Sequence, residues 1–145
     1  MIRKYHPSDK SAVIDIFQQN TPDYFAVEEQ ADLEQFLLTN GNNYWLIEQD
    51  GLVAGCGGIV INEGLNEGRI AWDFLSPNFQ GQGLGRQLTE FRLTEIRKTP
   101  SIQRIVVRTS QLAYKFYAKF GFQTEKIEED YWAPGLDLYA MQMPA

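Results

Sequence analysis

Apolar residues recur along the chain at two different spacings, and each change of spacing marks the border of an element. Stretches in which every third or fourth residue is apolar predict helices at about Ser8–Gln19, Glu28–Leu38, Gly83–Lys98 and Leu112–Phe120. Short alternating or continuously apolar runs predict strands at Met1–Tyr5, Tyr44–Glu48, Leu52–Ile61, Arg69–Leu75, Ile102–Arg108 and two more within Phe122–Met143. The predicted order is therefore β-α-α-β-β-β-α-β-α-β-β.

This order predicts one mixed α/β domain over residues 1–145, with about seven strands in a single sheet and helices on both faces. Antiparallel and parallel pairing share the sheet, because the helix Gly83–Lys98 carries the chain across from Leu75 to the strand Ile102–Arg108. The nearly continuous apolar run of that strand predicts burial on both of its faces. Ligands of such sheets bind beyond the carboxyl ends of strands, which here points to Leu75 and the loop that follows it.

Composition narrows the classes of function. The formal net charge of −6 and the sequence pI of about 4.8 argue against a broad nucleic-acid-binding surface. Cys56 is the only cysteine, so it cannot form an intramolecular disulfide, and its apolar strand predicts a buried, unreactive thiol. Met1–Tyr5 lacks the apolar core of a signal peptide, and no apolar run approaches the length of a membrane span, so we expect a cytoplasmic protein. Nothing in the pattern of His and Cys suggests a metal site.

A glycine-rich stretch, Gln80-Gly81-Gln82-Gly83-Leu84-Gly85, separates the last of the three central strands from the next helix. Such a turn presents unpaired N–H groups at the positive end of the helix dipole, where phosphates bind. Gln80 can add an amide donor and Arg86 a positive charge. The spacing is neither G-x-G-x-x-G nor that of a P-loop. Considered alone, the stretch predicts either an anion site or an ordinary strand-to-helix turn.

A second motif lies on the helix after the next strand, between Ala113 and Phe122. Ala113 and Tyr117 are spaced so that they share one face of that helix. A small residue beside a tyrosine leaves room for a flat or extended ligand against this face.

Together the two motifs resemble the signatures of the GCN5-related N-acetyltransferases. Gln80-x-x-Gly83-x-Gly85 is similar to the family's pyrophosphate signature, Arg/Gln-x-x-Gly-x-Gly/Ala, and Ala113–Phe122 to its second signature, Ala-x-x-Phe/Leu-Tyr-x-x-x-Gly-Phe. The order of elements matches too, so the resemblance covers essentially the whole chain. The chain departs from the family pattern at Ser110, where many relatives carry Asn, and at Gln80, where Arg is commoner.

The resemblance implies acetyl-CoA as the cofactor. In the family's fold the strands Arg69–Leu75 and Ile102–Arg108 splay apart, and pantetheine inserts between them and pairs with backbone groups. The resemblance also implies that N–H groups of the glycine loop bind the pyrophosphate, and that an N–H near Leu75 polarises the thioester carbonyl. The residues expected to hold the cofactor are Phe74, Leu75, Gln80, Gly81, Gln82, Gly83, Leu84, Gly85, Arg86, Ser110, Ala113 and Tyr117.

The same resemblance implies that Tyr117 is the acid that protonates the departing sulfur, the alternative being a tyrosine of the core. Asp73, on the strand face opposite Trp72, is the first candidate for the base, directly or through a water. Asp73 could instead bind the substrate's ammonium group or be a structural carboxylate. Glu63 and Glu67, in the preceding loop, are weaker candidates for the base.

The expected activity is therefore transfer of an acetyl group from acetyl-CoA to a primary amine of a small molecule or peptide. Two alternatives remain: transfer of a different acyl group, and a non-catalytic acyl-CoA-binding or regulatory domain. Tyr24 and Phe25 fall where relatives often close over the acceptor, and Tyr131 and Trp132 fall opposite them. These aromatic residues could either enclose an ammonium group or pack in the core. The tail strands offer an edge for a homodimer, which the sequence does not decide.

Overall fold

The computed structural model describes all 145 residues. Its helices are α1 (Lys10–Gln19), α2 (Gln30–Asn40), α3 (Leu84–Arg97) and α4 (Tyr114–Ala118). Its strands are β1 (Ile2–Lys4), β2 (Tyr44–Gln49), β3 (Leu52–Asn62), β4 (Glu67–Leu75), β5 (Arg104–Thr109), β6 (Gln123–Ala133) and β7 (Leu136–Pro144). The predicted order of elements is confirmed.

All seven strands form one sheet in the order β1-β2-β3-β4-β5-β7-β6. Only β4 and β5 pair in parallel, and α3 makes the crossover between them. The other neighbouring strands are antiparallel. The prediction of a mixed α/β fold with about seven strands and helices on both faces is therefore confirmed.

The sheet separates two apolar cores, because successive residues of a strand point to opposite faces. Leu88 and Ile96 of α3 pack on one face against Ile70 of β4 and Ile105 of β5. On the other face, the core beneath α1 and α2 includes Phe17, Leu33, Leu46 and Phe74. Ligands of such sheets bind beyond the carboxyl ends of strands, which makes the end of the parallel pair the place to look for a site.

A bulge near the end of β4 decides which way its last residues point. Cys56 lies opposite Phe74 and Gly58 lies opposite Ala71, so two residues of β4 face one residue of β3. Trp72 has a φ of 56°, a region that bulky side chains seldom adopt. The buried hydroxyl of Tyr44 donates a hydrogen bond to the Trp72 carbonyl at 2.6 Å and holds the bulge in place.

Because of the bulge, Trp72 and Phe74 face the core beneath α1 and α2, whereas Asp73 turns towards α3. The predicted placement of Asp73 on the strand face opposite Trp72 is confirmed. The bulge also separates the strands beyond it. Parallel pairing between β4 and β5 ends at Ile70 and Val107, although both strands continue. A cleft opens between their ends.

The prediction that β5 is buried on both faces is wrong. Ile105 and Val107 are buried, but Val106 between them is only partly buried and Arg104 and Arg108 on either side are exposed, so burial alternates along the strand. The reason is that no helix covers this part of the second face, since α1 and α2 lie over β2, β3 and β4.

The predicted helix Leu112–Phe120 is shorter in the structure. The N–H groups of Ala113 and Tyr114 both donate to the Ser110 carbonyl, so a turn precedes α4. The helix ends before Gly121, whose φ of 106° only glycine adopts readily. This turn leaves the Ala113 end of α4 directed at the cleft.

Candidate active site

A cavity of about 870 Å³ lies in the cleft between the ends of β4 and β5. On one face of the sheet the cavity reaches the glycine loop and α4. On the other face it reaches the segment between α1 and α2 and the end of β6, at Tyr131 and Trp132. Almost every residue expected to form the site lines it: Asp73, Phe74, Leu75, Gln80, Gly81, Gly83, Leu84, Gly85, Arg86, Ser110, Ala113 and Tyr117. Gln82 is the one residue of that set that does not. Two chain segments far apart in sequence thus meet at one cavity.

The glycine loop forms an open cradle at the start of α3. Gly81 and Gly83 have φ values of 80° and 77°, and no atom lies within 4 Å of a Cβ built on either. No side chain caps the helix, whose first turn contains no acidic residue. The N–H groups of its first turn therefore have no intrahelical partner and no capping partner. This donor set suits the pyrophosphate of CoA, because it offers several N–H groups and a helix N-terminus to a doubly charged anion.

Two further residues of the predicted cofactor site have local partners. Arg86 pairs with Glu90 one turn along α3, with Nε to Oε1 at 3.5 Å, and both side chains are well exposed. Ser110 is buried, and its hydroxyl oxygen accepts from the Leu112 N–H at 3.2 Å. The Ser110 hydroxyl hydrogen stays available for a ligand, since the oxygen acts here as an acceptor.

Tyr117, Asp73 and Arg92 form a connected polar group in the wall of the cleft. The Tyr117 hydroxyl donates to Asp73 Oδ2. The same oxygen accepts from Arg92 Nη2 at 2.9 Å. Asp73 Oδ1 has no hydrogen-bond partner within the protein and belongs to a side chain that is 17% exposed. One carboxylate oxygen is thus held by the protein while the other remains open to a ligand in the cavity.

The hydroxyl of Tyr117 stays protonated over the whole neutral range. Burial raises its pKa well above the ordinary value of 10.0, and the negative charge of Asp73 raises it further, while Arg92 opposes the shift. The expectation that Tyr117 carries a proton in the site is consistent with this electrostatic setting.

Arg92 was not anticipated as part of the site. Its side chain is 0% exposed, and it donates to the carbonyl oxygens of Gly58 and Leu88 at 3.2 and 3.4 Å as well as to Asp73. The guanidinium fits because position 57 is a glycine, where a Cβ would lie 2.9 Å from its Cζ. The sequence does carry a signal for it, because Arg92 has the helical spacing of the apolar stripe of α3. A cation buried at such a position requires an anion from another element.

The end of β4 is tied to α1 through a second residue that sequence reasoning missed. Asn20 is buried, and its Nδ2 donates to Leu75 O at 3.0 Å and to Ile16 O at 2.9 Å. Ser76 donates to Gln19 at 3.2 Å beside it. These contacts fix the end of β4, which forms one side of the cleft, against the end of α1.

The weaker base candidates lie away from the cavity. Glu67 pairs with Arg104 at 2.8 Å, and Glu63 accepts from Ser101 at 3.3 Å. Neither lines the cavity. Among the carboxylates named as base candidates, only Asp73 is positioned to face a ligand there.

The four aromatic residues flanking the expected acceptor side divide into two groups. Phe25 stacks on Trp72 at 6.2 Å at the edge of the core and also lines the cavity, as does Tyr24, which is 48% exposed. On the opposite wall, Tyr131 and Trp132 enclose the guanidinium of Arg108 at 5.1 and 5.6 Å. These two rings therefore hold a cation that the protein itself supplies.

Cys56 is fully buried, and burial raises the pKa of its thiol to about 12, in agreement with the predicted unreactive cysteine. No helix of the structure combines the length and the apolar character that a bilayer crossing needs. No group of three or more His, Cys, Asp or Glu side chains is arranged to hold a metal ion.

Solved structures with the same fold include several acetyltransferases. The ribosomal-protein-S18-alanine N-acetyltransferase from Escherichia coli has a TM-score of 0.80 at 22% identity, over 99% of this chain and 92% of that one. The ribosomal-protein-alanine N-acetyltransferase from Brucella melitensis has a TM-score of 0.77 at 17% identity, over 100% and 99%. The protein yncA from Salmonella typhimurium, solved with its cofactor acetyl-CoA, has a TM-score of 0.76 at 17% identity, over 99% and 92%.

These identities establish the likeness of fold alone. A search of individually curated sequences finds no significant match. The sequence model of the acetyltransferase (GNAT) domain, however, matches residues 11–145 and so includes the glycine loop, the cleft and α4. The chain therefore belongs to the GNAT acetyltransferase family, and it is an acetyl-CoA-dependent acyltransferase.

Proposed function

We propose that this protein transfers the acetyl group of acetyl-CoA to a primary amine by direct attack, with Tyr117 as the general acid. The observation that carries this proposal is the connected group of Tyr117, Asp73 and Arg92 in the wall of the cleft. Two of the similar structures are named as N-acetyltransferases of a ribosomal-protein alanine, which supports an amine acceptor on this fold.

Acetyl-CoA, when bound, supplies an acetyl group that is activated as a thioester. The residues that would hold it are those of the glycine loop for the pyrophosphate, with Phe74, Leu75, Ser110 and Ala113 along the cleft. The glycines allow close approach of the backbone, and the uncapped start of α3 favours negative charge. Gln82 does not line the cavity, and it is proposed to contribute through its backbone N–H at the start of α3.

Asp73 is proposed to receive the amine. Its free Oδ1 can accept a hydrogen bond from the acceptor's ammonium group and then take one of its protons, directly or through a water. Arg92 stabilises the ionised carboxylate of Asp73 before the amine binds, because the guanidinium is completely buried and has no other anionic partner. Arg92 thus acts as a positioning residue rather than a catalytic one.

Tyr117 is proposed to supply the second proton. Its phenol is protonated at neutral pH and can give that proton to the departing sulfur. The hydrogen bond between its hydroxyl and Asp73 then allows the proton taken from the amine to return to the phenol. Two protons leave the ammonium group in all. The first passes to solvent through Asp73 or its water before the attack. The second reaches Asp73 as the amide forms and passes to the phenol, which has given its own proton to the sulfur, so the site ends in its starting state.

The test is the release of free thiol from acetyl-CoA across a panel of primary amines, with Tyr117→Phe as the diagnostic variant. We expect kcat to fall by about 100-fold, the range in which a general acid contributes, with little change in the affinity for CoA. Tyr114→Phe is the matched control, since Tyr114 lies on the same helix, stacks on Tyr139 at 4.5 Å and does not line the cavity.

Three outcomes separate the alternatives. Unchanged kcat in Tyr117→Phe would remove the acid role of this residue. Binding of CoA without turnover of any amine would favour a non-catalytic acyl-CoA-binding domain. Faster turnover with propionyl-CoA than with acetyl-CoA would point to a different acyl group.

A further inference from the structure

Two arginines with no acidic partner line the acceptor side of the cavity. Ile70 of β4 and Val107 of β5 point into the core beneath α3, so their neighbours Arg69 and Arg108 point to the other face of the sheet. Arg69 lies opposite Val106, two residues before Arg108, and both guanidiniums line the cavity. Burial lowers the pKa of Arg69, and the nearby charge of Arg108 lowers it further, while the charge of Glu67 opposes the shift.

These guanidiniums differ from the others that line the cavity. Arg86 and Arg92 each have a carboxylate within 4.0 Å, whereas neither Arg69 nor Arg108 has one. Arg69 is half-buried and makes no side-chain hydrogen bond within the protein. Removing a guanidinium from water without an anionic partner is costly, so such a group is best satisfied by a ligand.

The Arg108 side chain is held in position for this task. Its Nη2 donates to the Tyr131 hydroxyl at 2.5 Å, and its guanidinium lies over the rings of Tyr131 and Trp132. Trp132 is itself anchored, because its Nε1 donates to Thr109 O at 3.0 Å. An arginine fixed in this way loses little side-chain entropy when it binds an anion.

The carboxylates nearby do not neutralise the two arginines. Glu67 is paired with Arg104. Glu29 and Asp32 line the wall formed by the start of α2, and Glu29 accepts from the Ala26 N–H at 2.8 Å. Neither lies within 4.0 Å of the two guanidiniums. An anion would therefore be drawn to the sheet side of the cavity and away from the α2 wall.

We propose that the acceptor is a primary amine that also carries a carboxylate, bound by the guanidiniums of Arg69 and Arg108. This inference rests on the proposed N-acetyl transfer and names its class of substrate. Guanidinium groups bind carboxylates through paired, charge-assisted hydrogen bonds, which gives both affinity and orientation. With the carboxylate held there, the amine has to reach through the cleft to Asp73, because Arg69 faces the α1–α2 side of the sheet and Asp73 faces α3.

The spacing along β4 adds a restriction on this acceptor. Arg69 precedes Asp73 by four residues, which would correspond to about 13 Å along a regular strand at about 3.3 Å per residue and is shortened by the bulge at Trp72. The long arginine side chain covers part of that distance. An acceptor whose amine and carboxylate are several bonds apart, such as an ω-amino acid or a short peptide, therefore fits better than an α-amino acid.

The test compares each acceptor with its own carboxamide. Glycine, 4-aminobutyrate, 6-aminohexanoate and glycylglycine are assayed beside the corresponding amides by thiol release from acetyl-CoA. We expect kcat/KM of the preferred carboxylate to exceed that of its amide by about tenfold or more, as charged hydrogen bonds of this kind imply. Preferred use of the ω-amino acids would indicate that the acceptor is a free metabolite. Preferred use of glycylglycine would indicate that the carboxylate is the C-terminus of a peptide.

The variants Arg69→Gln and Arg108→Gln should each lower kcat/KM for the carboxylate by about tenfold while leaving the amide within about twofold. Arg69→Lys should keep part of the preference, since it keeps the charge but not the paired donors. Arg97→Gln is the matched control, because Arg97 also lacks an acidic partner but ends α3 outside the cavity. Thermal unfolding of each variant verifies that it is folded.

Equal use of acids and amides by the unaltered protein would overturn the inference and leave N-acetyl transfer standing. The inference also fails if the glutamine variants lower the rates for acid and amide alike. Turnover of no amine at all, with CoA still bound, would instead remove the proposed function and this inference with it.

Discussion

Replacing Asp73 by Asn removes the negative charge that faces the buried guanidinium of Arg92 and leaves the shape of the side chain unchanged. Arg92 is 0% exposed, and its remaining partners are the neutral oxygens of Gly58, Leu88 and Thr89. An unpaired buried charge of this kind typically destabilises a protein by about 3–5 kcal/mol. We therefore expect Asp73→Asn to lower the free energy of unfolding by about 3 kcal/mol, the lower end of that range, since the hydrogen bond to Asn can persist.

The reverse change, Arg92→Met, should cost less. It removes the buried cation itself and fills the space with an apolar side chain of similar length. Asp73 is then left with the Tyr117 hydroxyl and a side chain that is 17% exposed, so water can reach it. We expect a loss of about 1–3 kcal/mol, in the range for a missing charged hydrogen bond.

The double variant separates the ion pair from the packing. With neither charge present, its loss of stability should be smaller than the sum of the two single losses by about 1–3 kcal/mol, as for residues in direct contact. Urea unfolding at pH 7, followed by the fluorescence of the three tryptophans, measures all four proteins. A cost for Asp73→Asn below about 1 kcal/mol, or below that of Arg92→Met, would refute the reasoning, and so would additive losses in the double variant.

Two further predictions concern pH and packing. Burial raises the pKa values of Tyr44, Cys56 and Tyr117, the Cys56 thiol to about 12. These groups stay neutral in the folded protein but ionise in the unfolded chain, so they should leave the free energy of unfolding unchanged between about pH 6 and pH 8 and lower it as the pH rises further towards the folded-state pKa values. The slope should approach about 1.4 kcal/mol per pH unit for each group that has ionised only in the unfolded chain. Urea unfolding at several pH values between about pH 8 and pH 10.5 measures this slope, and Cys56→Ala should reduce it in the lower part of that range. A free energy of unfolding that does not change with pH would contradict the prediction. Gly57→Ala should destabilise the protein by about 1–3 kcal/mol, the usual cost of overpacking, because the new Cβ would lie 2.9 Å from Arg92 Cζ. Gly64→Ala is the control, since the nearest atom to its new Cβ would be an ordinary contact at 3.5 Å. Thermal unfolding compares the two variants, and equal midpoints would count against the prediction.

Local sequence was sufficient for the order of elements and for the two motifs. The spacing of the apolar residues in each segment depends only on neighbours a few positions away, so it distinguishes helices from strands without knowledge of the rest of the chain. The glycine loop was recognisable because its backbone conformation, with positive φ at Gly81 and Gly83, requires glycine whatever surrounds it. The spacing of Ala113 and Tyr117 likewise follows from the helix itself.

Residues whose role depends on another segment were harder to predict. Arg92 has the spacing of the α3 apolar stripe, but its partner comes from β4, nineteen positions away in the chain. The exposed face of β5 was mistaken for a buried one because an apolar run does not report whether a helix covers it. The arginine pair depends on the register of β4 against β5, which places Arg69 near Arg108.

The glycine loop, the tyrosine motif and the order of strands and helices already identify an acetyl-CoA-type fold from the amino-acid sequence, because each depends on interactions within a few residues. The bulge at Trp72, the ion pair of Asp73 with Arg92 and the unpaired arginines of the acceptor side emerge only when the chain is folded. Each joins segments that are distant in sequence, and their partners are selected by strand register and by burial. The donor side of the site is thus encoded locally, while the acceptor side and its charge are products of tertiary packing.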